Sequence, residues 1–472
     1  MRGIISYGAY LPRHRLDRGA IRATLGQGGG KGTRSVAGYD EDTTSMGVEA
    51  ARAARWNGGF APTAVHFATT APAYADKANA TAIHAALGLP ADVFATDHVG
   101  SARSAVGALR AAAAEGGLAV LSDVRLGRPG SADEAGGGDG AAAFLFGEGD
   151  GVVAELVGQA SATAEFLDRW RVPGETASST WEERFGLGQY LPLIQDAVTR
   201  ALAAAGVQQP DFVVLSSPHA RAARTAAKPF GEAAADAIEP VAGWLGAAHA
   251  GVGLTHALDR AQPGHTVLVV SGADGADALV FRVTEAIAGR PQGRGALDQF
   301  AGAPDVDYAT FLTWRGGLHR EPPRRPDPVR PEAPPAARAA HWKFGFVGSR
   351  CTSCERVHVP PQRVCAGCGH TDEMAPVSLA DTPGTITTYT VDRLAFSLSP
   401  PTITAAVDFD GGGRFTCEMT DCRPDEVQVG TRVELTFRRM YTAQGVHNYF
   451  WKARPRVTSA EVRACENGGR NT

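Results

Sequence analysis

Three stretches within the first 285 residues recur further along that region, in the same order. "APTAVHFATTAP", from Ala61, has a counterpart in "QPDFVVLSSPHA", from Gln209. "SAVGALRAAAAEGGLAVLSD", from Ser104, has one in "AGVGLTHALDRAQPGHTVLVVSG", from Ala250. "GDGAAAFLF", from Gly138, resembles "ADGADALVF", from Ala273. The intervals drift, as loops of unequal length allow. Around them the chain alternates. Ile4–Ala9 and Ala64–Ala68 read as short apolar strands, and so does Gly117–Ser122. Ser45–Arg55, Ala78–Leu87 and Ser104–Glu115 read as helices. Such alternation argues α/β layering. The ordered repetition predicts two similar halves, about 1–160 and 161–285, packed into one layered domain about a pseudo-twofold axis. In an Ala-rich chain any two α/β segments look somewhat alike, but chance resemblance does not preserve order three times.

The 472 residues suffice for two to four domains. Hydrophobic residues make up 44% and charged residues 20%, which excludes wholesale disorder. A formal net charge of −4 speaks against a broad nucleic-acid surface, which needs a basic excess. No run of eighteen apolar residues offers a membrane span, and the opening residues lack a signal-peptide core. The expectation is a cytoplasmic protein bound to neither nucleic acid nor membrane.

Beyond residue 285 the texture changes. Residues 286–340 include "EPPRRPDPVRPEAPPAARAA", from Glu321, and read as a Pro/Arg-rich linker. The aromatics before it, Phe300, Tyr308, Phe311 and Trp314, suit packing on a flanking domain. All seven cysteines follow residue 350, and four of them, Cys351, Cys354, Cys365 and Cys368, form two C-x-x-C knuckles. Two knuckles complete a tetrahedral four-thiolate site, so 341–375 is expected to be a zinc ribbon holding a structural Zn²⁺. Four thiolates leave no open position for catalysis. From 376 to 460 short alternating strands separated by turns, such as Gly411–Gly413, suggest a small OB-type barrel. Residues 461–472 read as a flexible tail.

The segments "GIISYGAYLPRHRL", "EDTTSMGVEAAR" (from Glu41) and "LDRAQPGHTVLVVSGADGADALVFRV" (from Leu258) resemble the HMG-CoA synthase branch of the thiolase superfamily and, more distantly, β-ketoacyl synthase III. The tail from about Ala340 to Val457 resembles the zinc-ribbon/OB proteins that accompany such enzymes. The resemblance implies a five-layered αβαβα fold, acyl-CoA or acyl-carrier substrates, and assembly as a homodimer or with another thiolase-like protein. It also implies a catalytic cysteine, and residues 1–350 contain none. Ser101 or Ala102 takes that position. Thr70 stands where the synthases use a Glu, and Trp244 where they use an Asn. Only His219 matches the family's His-containing segment.

Condensation or cleavage through an acyl-cysteine is therefore not expected. His219 is the leading candidate for base or oxyanion donor, although a His at a strand end is often structural. Asp97 and His98 could act as an acid–base pair at the former nucleophile turn; Asp97 could equally cap a helix. His249 lies in a Gly/Ala turn near the site. Ser101 is a weak candidate acyl carrier, since a serine without a paired base is a poor nucleophile. Arg221, Arg224 and Lys228, spaced three and four apart, could bind CoA or carrier phosphates. The leading expectation is aldol or retro-aldol chemistry on a CoA thioester. Transfer without a cysteine and a non-catalytic partner of an intact thiolase stand as alternatives.

Overall fold

A computed structural model describes residues 2–55, 61–290, 295, 297–298, 303–324, 326 and 328–456. Chain contacts divide it into two units. One comprises residues 1–38, 42–81 and 91–318; the other comprises 39–41, 82–90 and 319–472. The predicted tail, 461–472, lies outside the described residues.

The first unit is built on nine strands: β1 (Arg2–Tyr10), β2 (Ala64–Thr69), β3 (Phe94–Val99), β4 (Leu118–Val124), β5 (Asp139–Glu148), β6 (Ala154–Ala162), β7 (Phe212–Ser216), β8 (Thr266–Ser271) and β9 (Ala276–Val283). They lie in the order β7-β8-β9-β6-β1-β5-β4-β2-β3. The centre is a narrow antiparallel seam between β1 and β6, with Gly3 opposite Glu155 and Ile4 opposite Ala154. Read outward from that seam, β1-β5-β4-β2 mirrors β6-β9-β8-β7. Within each half the two outer of these strands run parallel, and the others run antiparallel. The three predicted repeats are β2 with β7, β4 with β8, and β5 with β9, so the duplication is present in the fold.

The helices are α1 (Thr43–Ala53), α2 (Ala80–Ala86), α3 (Ser104–Glu115), α4 (Glu183–Ala205), α5 (Ala220–Ala227) and α6 (His249–Arg260). Helix α2 starts in the first unit and from residue 82 is grouped with the second; the other five complete the layers. Strand β8 shows why both faces are covered. Val267 and Val269 join a core that also holds Leu109 of α3 and Leu254 and Leu258 of α6. Leu268 and Val270 point the other way, onto Ile194, Ala197 and Ala201 of α4. α1 packs on β1, β4 and β5. Continuous apolar strands, buried on both faces, are what such layering demands.

The two halves differ at their outer ends. The first adds β3, parallel to β2 from Ala64 opposite Phe94 to Thr69 opposite Val99. Among the described residues the second half adds nothing beyond β7. Its corresponding segment, 228–248, forms only 3₁₀ turns at Lys228–Ala234 and Gly246–Ala248 and a short helix at Glu239–Ala242. "GEAAADAIEPVAG" holds only Ile238 and Val241 among strand-favouring residues, and Pro240 has no N–H to pair.

The segment predicted as linker is not extended throughout. Tyr308–Trp314 is a helix whose Tyr308 and Phe311 pack with Leu16, Ile21 and Val36 of the first unit. In the second unit Ala333–Gly345 is helical too. That unit continues with a three-stranded sheet (Val347–Cys351, Val357–His358, Met374–Ser378) and a five-stranded antiparallel one (Gly384–Asp392, Thr402–Phe409, Arg414–Glu418, Arg432–Ala443, Val446–Pro455). Phe346, Phe437 and Trp451 form part of its aromatic core. No described helix is long and apolar enough to cross a membrane.

Candidate functional site

A cavity of about 690 Å³ opens along β7. Five consecutive residues, Asp211–Leu215, line it. Successive strand residues point to opposite faces, so a cavity that meets all five runs along the strand's edge. α6 supplies a second wall through His249, Gly253, His256 and Arg260, whose spacing of four, three and four is one helical face. Gly253 permits the close approach: a Cβ there would stand 2.4 Å from Val214 Cγ1. α5 contributes Ala220, Ala223, Arg224 and Ala227.

The polar lining is organised around Arg125. Asp123, fully buried, accepts from Thr70 Oγ1 at 2.8 and 2.9 Å, from the Thr70 N–H at 3.2 Å and from the Ala247 N–H at 2.9 Å. Arg125 donates to Thr70 Oγ1 at 2.8 Å and lies over the Trp244 ring, 4.8 Å from its centroid. Trp244 in turn donates to Ser216 Oγ at 3.1 Å. Burial pushes the Asp123 carboxyl up, against the opposing pull of Arg125 and the donated hydrogen bonds. Thr70 and Trp244 thus serve to hold the guanidinium.

His249 is buried, with Nε2 3.5 Å from Asp236 Oδ2 and Nδ1 accepting from the Leu245 N–H at 3.3 Å. Burial would raise the Asp236 carboxyl, but His249 and the N–H groups of Glu239 and Ile238 together hold it at about 2. His256 is half-buried and makes no hydrogen bond among the described residues. Burial first, then the charge of Arg260, lowers its pKa, so the ring is neutral at neutral pH. His256, Arg125 and Asp236 were not singled out from sequence. The regular spacing of His249, Gly253, His256 and Arg260 was the available signal for the first.

The structure does not gather the other predicted residues there. His219 caps α5: Nδ1 accepts from the Ala222 N–H at 3.1 Å and Nε2 donates to the Glu183 carbonyl at 2.8 Å. Both ring nitrogens are thus spent on the main chain. Asp97 and His98 point to opposite faces of β3. Asp97 accepts from the N–H groups of Asn79 and Ala80, each at 2.7 Å, which makes it a helix anchor. His98 Nε2 meets His66 Nδ1 at 3.1 Å, and His66 bonds Glu115. Ser101 Oγ accepts from the Arg103 N–H at 3.3 Å, a turn bond. Beside it Arg103 reaches into the second half, donating to both Asp277 oxygens (2.8 and 3.3 Å), the Asp274 carbonyl (2.7 Å) and Thr163 (2.9 Å). Of the predicted phosphate binders only Arg224 lines the cavity; Arg221 pairs loosely with Glu183 at 3.6 Å, and Lys228 is exposed beyond the end of α5.

In the second unit the four cysteines converge as predicted, with all four Sγ atoms within 4.8 Å of one another. Cys351 and Cys368 are 3.7 Å apart, and Cys354 and Cys365 3.5 Å. Four sulfurs about 2.3 Å from one Zn²⁺ in a tetrahedron would lie about 3.8 Å apart, so this donor set fits zinc. His370 is not among the converging ligands; it pairs with Glu373 at 2.9 Å.

With this geometry in hand, the relatives can be placed. The hydroxymethylglutaryl-CoA synthase of Archaeoglobus fulgidus is 32% identical over 340 residues, covering 67% of this chain and 98% of its own. The chain belongs to the hydroxymethylglutaryl-CoA synthase family. Its first unit is the thiolase-superfamily body of that family. The fold agrees. A crystal structure of HMG-CoA synthase complexed with CoA superposes with a TM-score of 0.57 at 17% identity, covering 66% of this chain and 89% of the other. The 3-oxoacyl-(acyl carrier protein) synthase III of Pseudomonas aeruginosa gives 0.53 at 21%, covering 60% and 98%. The C-terminal region is of a different kind. Residues 345–375 match the rubredoxin-like zinc ribbon domain of ChsH2, and 377–438 its C-terminal OB-fold domain. The synthase family thus carries here a second module whose four cysteines are arranged as a structural metal site.

Proposed function

We propose that this chain makes or breaks a C–C bond in a CoA or carrier-bound thioester by aldol-type chemistry, without an acyl-cysteine. The observation that carries it is the content of the cavity: a buried, clamped cation, Arg125, and a neutral unbonded imidazole, His256, in a body whose first 350 residues hold no thiolate. In the cleavage direction His256 takes the proton of a β-hydroxyl group. The Cα–Cβ bond breaks, its electron pair moves onto the thioester carbonyl as an enolate, and a ketone or aldehyde leaves. Arg125 stabilises the enolate oxygen, and protonated His256 returns the proton to Cα. No oxidant or further reactant is needed.

The test is to incubate the full chain with a panel of β-hydroxyacyl-CoAs, reading products and intact-protein mass together. A carbonyl product with a shortened acyl-CoA and no mass gain is expected, and His256→Asn should abolish it while leaving thioester binding. An acyl-sized mass gain would replace this reading with transfer through Ser101 or another carrier.

The engagement of both His219 nitrogens favours a second reading, a thioester-binding partner of an intact thiolase. That reading requires turnover only when a cysteine-bearing thiolase is added. Zn²⁺ in the four-cysteine site would hold the ribbon folded and take no part in the chemistry; one zinc per chain by elemental analysis is expected. Assembly as a dimer, or with another thiolase-like protein, is part of the same proposal.

A further inference from the structure

Strand β4 ends at Val124, opposite Asp139 of β5. Arg125 is the next residue and lies beyond that ladder, so its main chain is held by side chains instead. The Arg125 N–H donates to Asp139 Oδ1 at 2.9 Å, and the Arg125 carbonyl accepts from Arg34 at 3.0 Å. Arg34 and Asp139 are both fully buried, and Arg34 also approaches Asp139 Oδ1 at 3.4 Å. The other carboxylate oxygen accepts from the Ala37 N–H at 2.8 Å and from Arg315. Arg315 donates to the Ala37 carbonyl as well, at 3.2 Å. One buried carboxylate thus serves two arginines and two amides, and a polar cluster bonded so fully is rigid.

Both arginines come from outside the 125–139 connection. Arg34 lies in the strand Thr33–Val36, and Arg315 follows the helix Tyr308–Trp314. Both guanidiniums lie over the Phe311 ring of that helix, 5.0 Å (Arg34) and 5.4 Å (Arg315) from its centroid. Tyr308 donates to the buried Glu134 carboxylate at 2.9 Å, and Arg34 donates to the Glu134 carbonyl. The connection is therefore fastened at Arg125, Glu134 and Asp139, while its Arg125, Asp133, Gly136 and Gly137 line the cavity.

We infer that Asp139, Arg34 and Arg315 are positioning residues, which fix the main chain of Arg125 so that its guanidinium stays on Thr70 and Trp244. None of the three is among the residues that line the cavity, so they act through Arg125 and not on a substrate. A donor held in place before reaction costs no reorganisation when charge develops beside it. The inference rests on the reading of Arg125 as the cation that meets the enolate, and it adds what keeps that cation in place. A stretch that the sequence presents as linker thus completes the site.

The test uses the full-length protein and the β-hydroxyacyl-CoA it cleaves fastest. Asp139→Asn keeps the shape of the side chain and loses its charge. It should lower kcat about a hundredfold, the cost of a misplacement of about 1 Å, with KM unchanged. Arg315→Met keeps the stem and should lower kcat about tenfold, the scale of one charged hydrogen bond, and Arg315→Lys should recover most of that loss. Circular dichroism and thermal melting establish that each variant is folded. Should Asp139→Asn fail to fold, the two Arg315 variants decide. Unchanged kcat in the folded variants, or a Lys variant no better than the Met variant, would overturn the inference. A second readout does not depend on turnover. In protein labelled with fluorotryptophan, the fluorine resonance of Trp244, assigned with Trp244→Phe, reports the guanidinium over its ring. Arg315→Met should move that resonance in the direction that Arg125→Ala moves it, and a resonance that stays in place would overturn the inference. A moved resonance in a protein that cleaves no thioester would leave the positioning standing and remove the aldol reading. Cleavage by the parent, with an unmoved resonance and unchanged kcat in the variants, would do the reverse.

Discussion

The two halves of the body share a plan and differ in how each ends. In the first, β3 covers β2, and the polar groups near it are absorbed by structure. Asp97 anchors α2 through the N–H groups of Asn79 and Ala80, while His98 is tied to His66 and through it to Glu115. In the second, the sheet stops at β7, and the space beside it is a cavity in which His256 and Arg224 keep unspent capacity. An edge strand normally needs protection, because its open amides recruit other chains. Here α5, α6 and the 228–248 segment wall the edge in without pairing it. The comparison teaches that a duplicated fold can gain a chamber in one half by losing a single strand, while the shared central helices keep both halves packed.

If the halves are held as one body, the cross-half ion pair should matter most. Arg103, at the start of α3, is bound to Asp277 of β9, which is buried. Arg103→Ala leaves that carboxylate unpaired and should cost about 3 kcal/mol of unfolding free energy in urea. Arg103→Ala with Asp277→Ala should cost clearly less than the two single changes added. Additive losses would mean that the halves are not coupled here. Next comes the wall of the chamber. Gly253→Ala forces α6 away from Val214 and should lower stability by about 2 kcal/mol, as overpacking does. The corresponding helix of the first half offers a control, because at Gly107 a Cβ would meet only His98 Nδ1, at 3.3 Å, the end of a movable side chain. Gly107→Ala should therefore cost much less. Equal losses would remove the special closeness argued for the second half.

Much of this architecture was legible in the residues. The repeats at Ala61, Ser104 and Gly138 mark equivalent strands, because apolar runs buried on both faces leave a plain signature. The four cysteines were equally plain, since their spacing carries their geometry. The absent strand was not legible: in an Ala-rich chain "GEAAADAIEPVAG" differs little from a helix or loop, and only pairing reveals what is missing. The site was read in part. Position in a motif pointed to His219, but it cannot say where ring nitrogens point, and here both meet carbonyl or amide groups of the main chain. His249, read from its Gly/Ala turn, lines the cavity. Arg125 and Asp236 carry no motif of their own; they matter because distant segments bring them to Thr70, Trp244 and His249.

Two smaller effects sharpen the contrast at the strand ends. Asp97 lies in β3, the strand the second half lacks, and His219 follows β7; each anchors a helix. Asp97→Ala and His219→Ala should each lower the melting temperature, by the equivalent of about 1 kcal/mol typical of a lost cap. If His219 is only structural, thioester affinity in its variant stays unchanged; a large fall in affinity with an unchanged melting temperature would return His219 to the site.

The smallest effect belongs to the Asp236–His249 pair. Its carboxyl is held at about 2, below the usual carboxylate value of about 3.9. A depressed carboxylate contributes stability that is fully present above pH 4 and is lost as pH falls from about 4 toward 2. The Asp236 side chain is 37% exposed, so solvent screens much of the interaction. Asp236→Asn should thus be slightly less stable than the parent at pH 6 and indistinguishable from it near pH 2. A deficit that persists unchanged to pH 2 would mean that Asp236 acts by packing, and that the charge beside His249 is incidental to the second half.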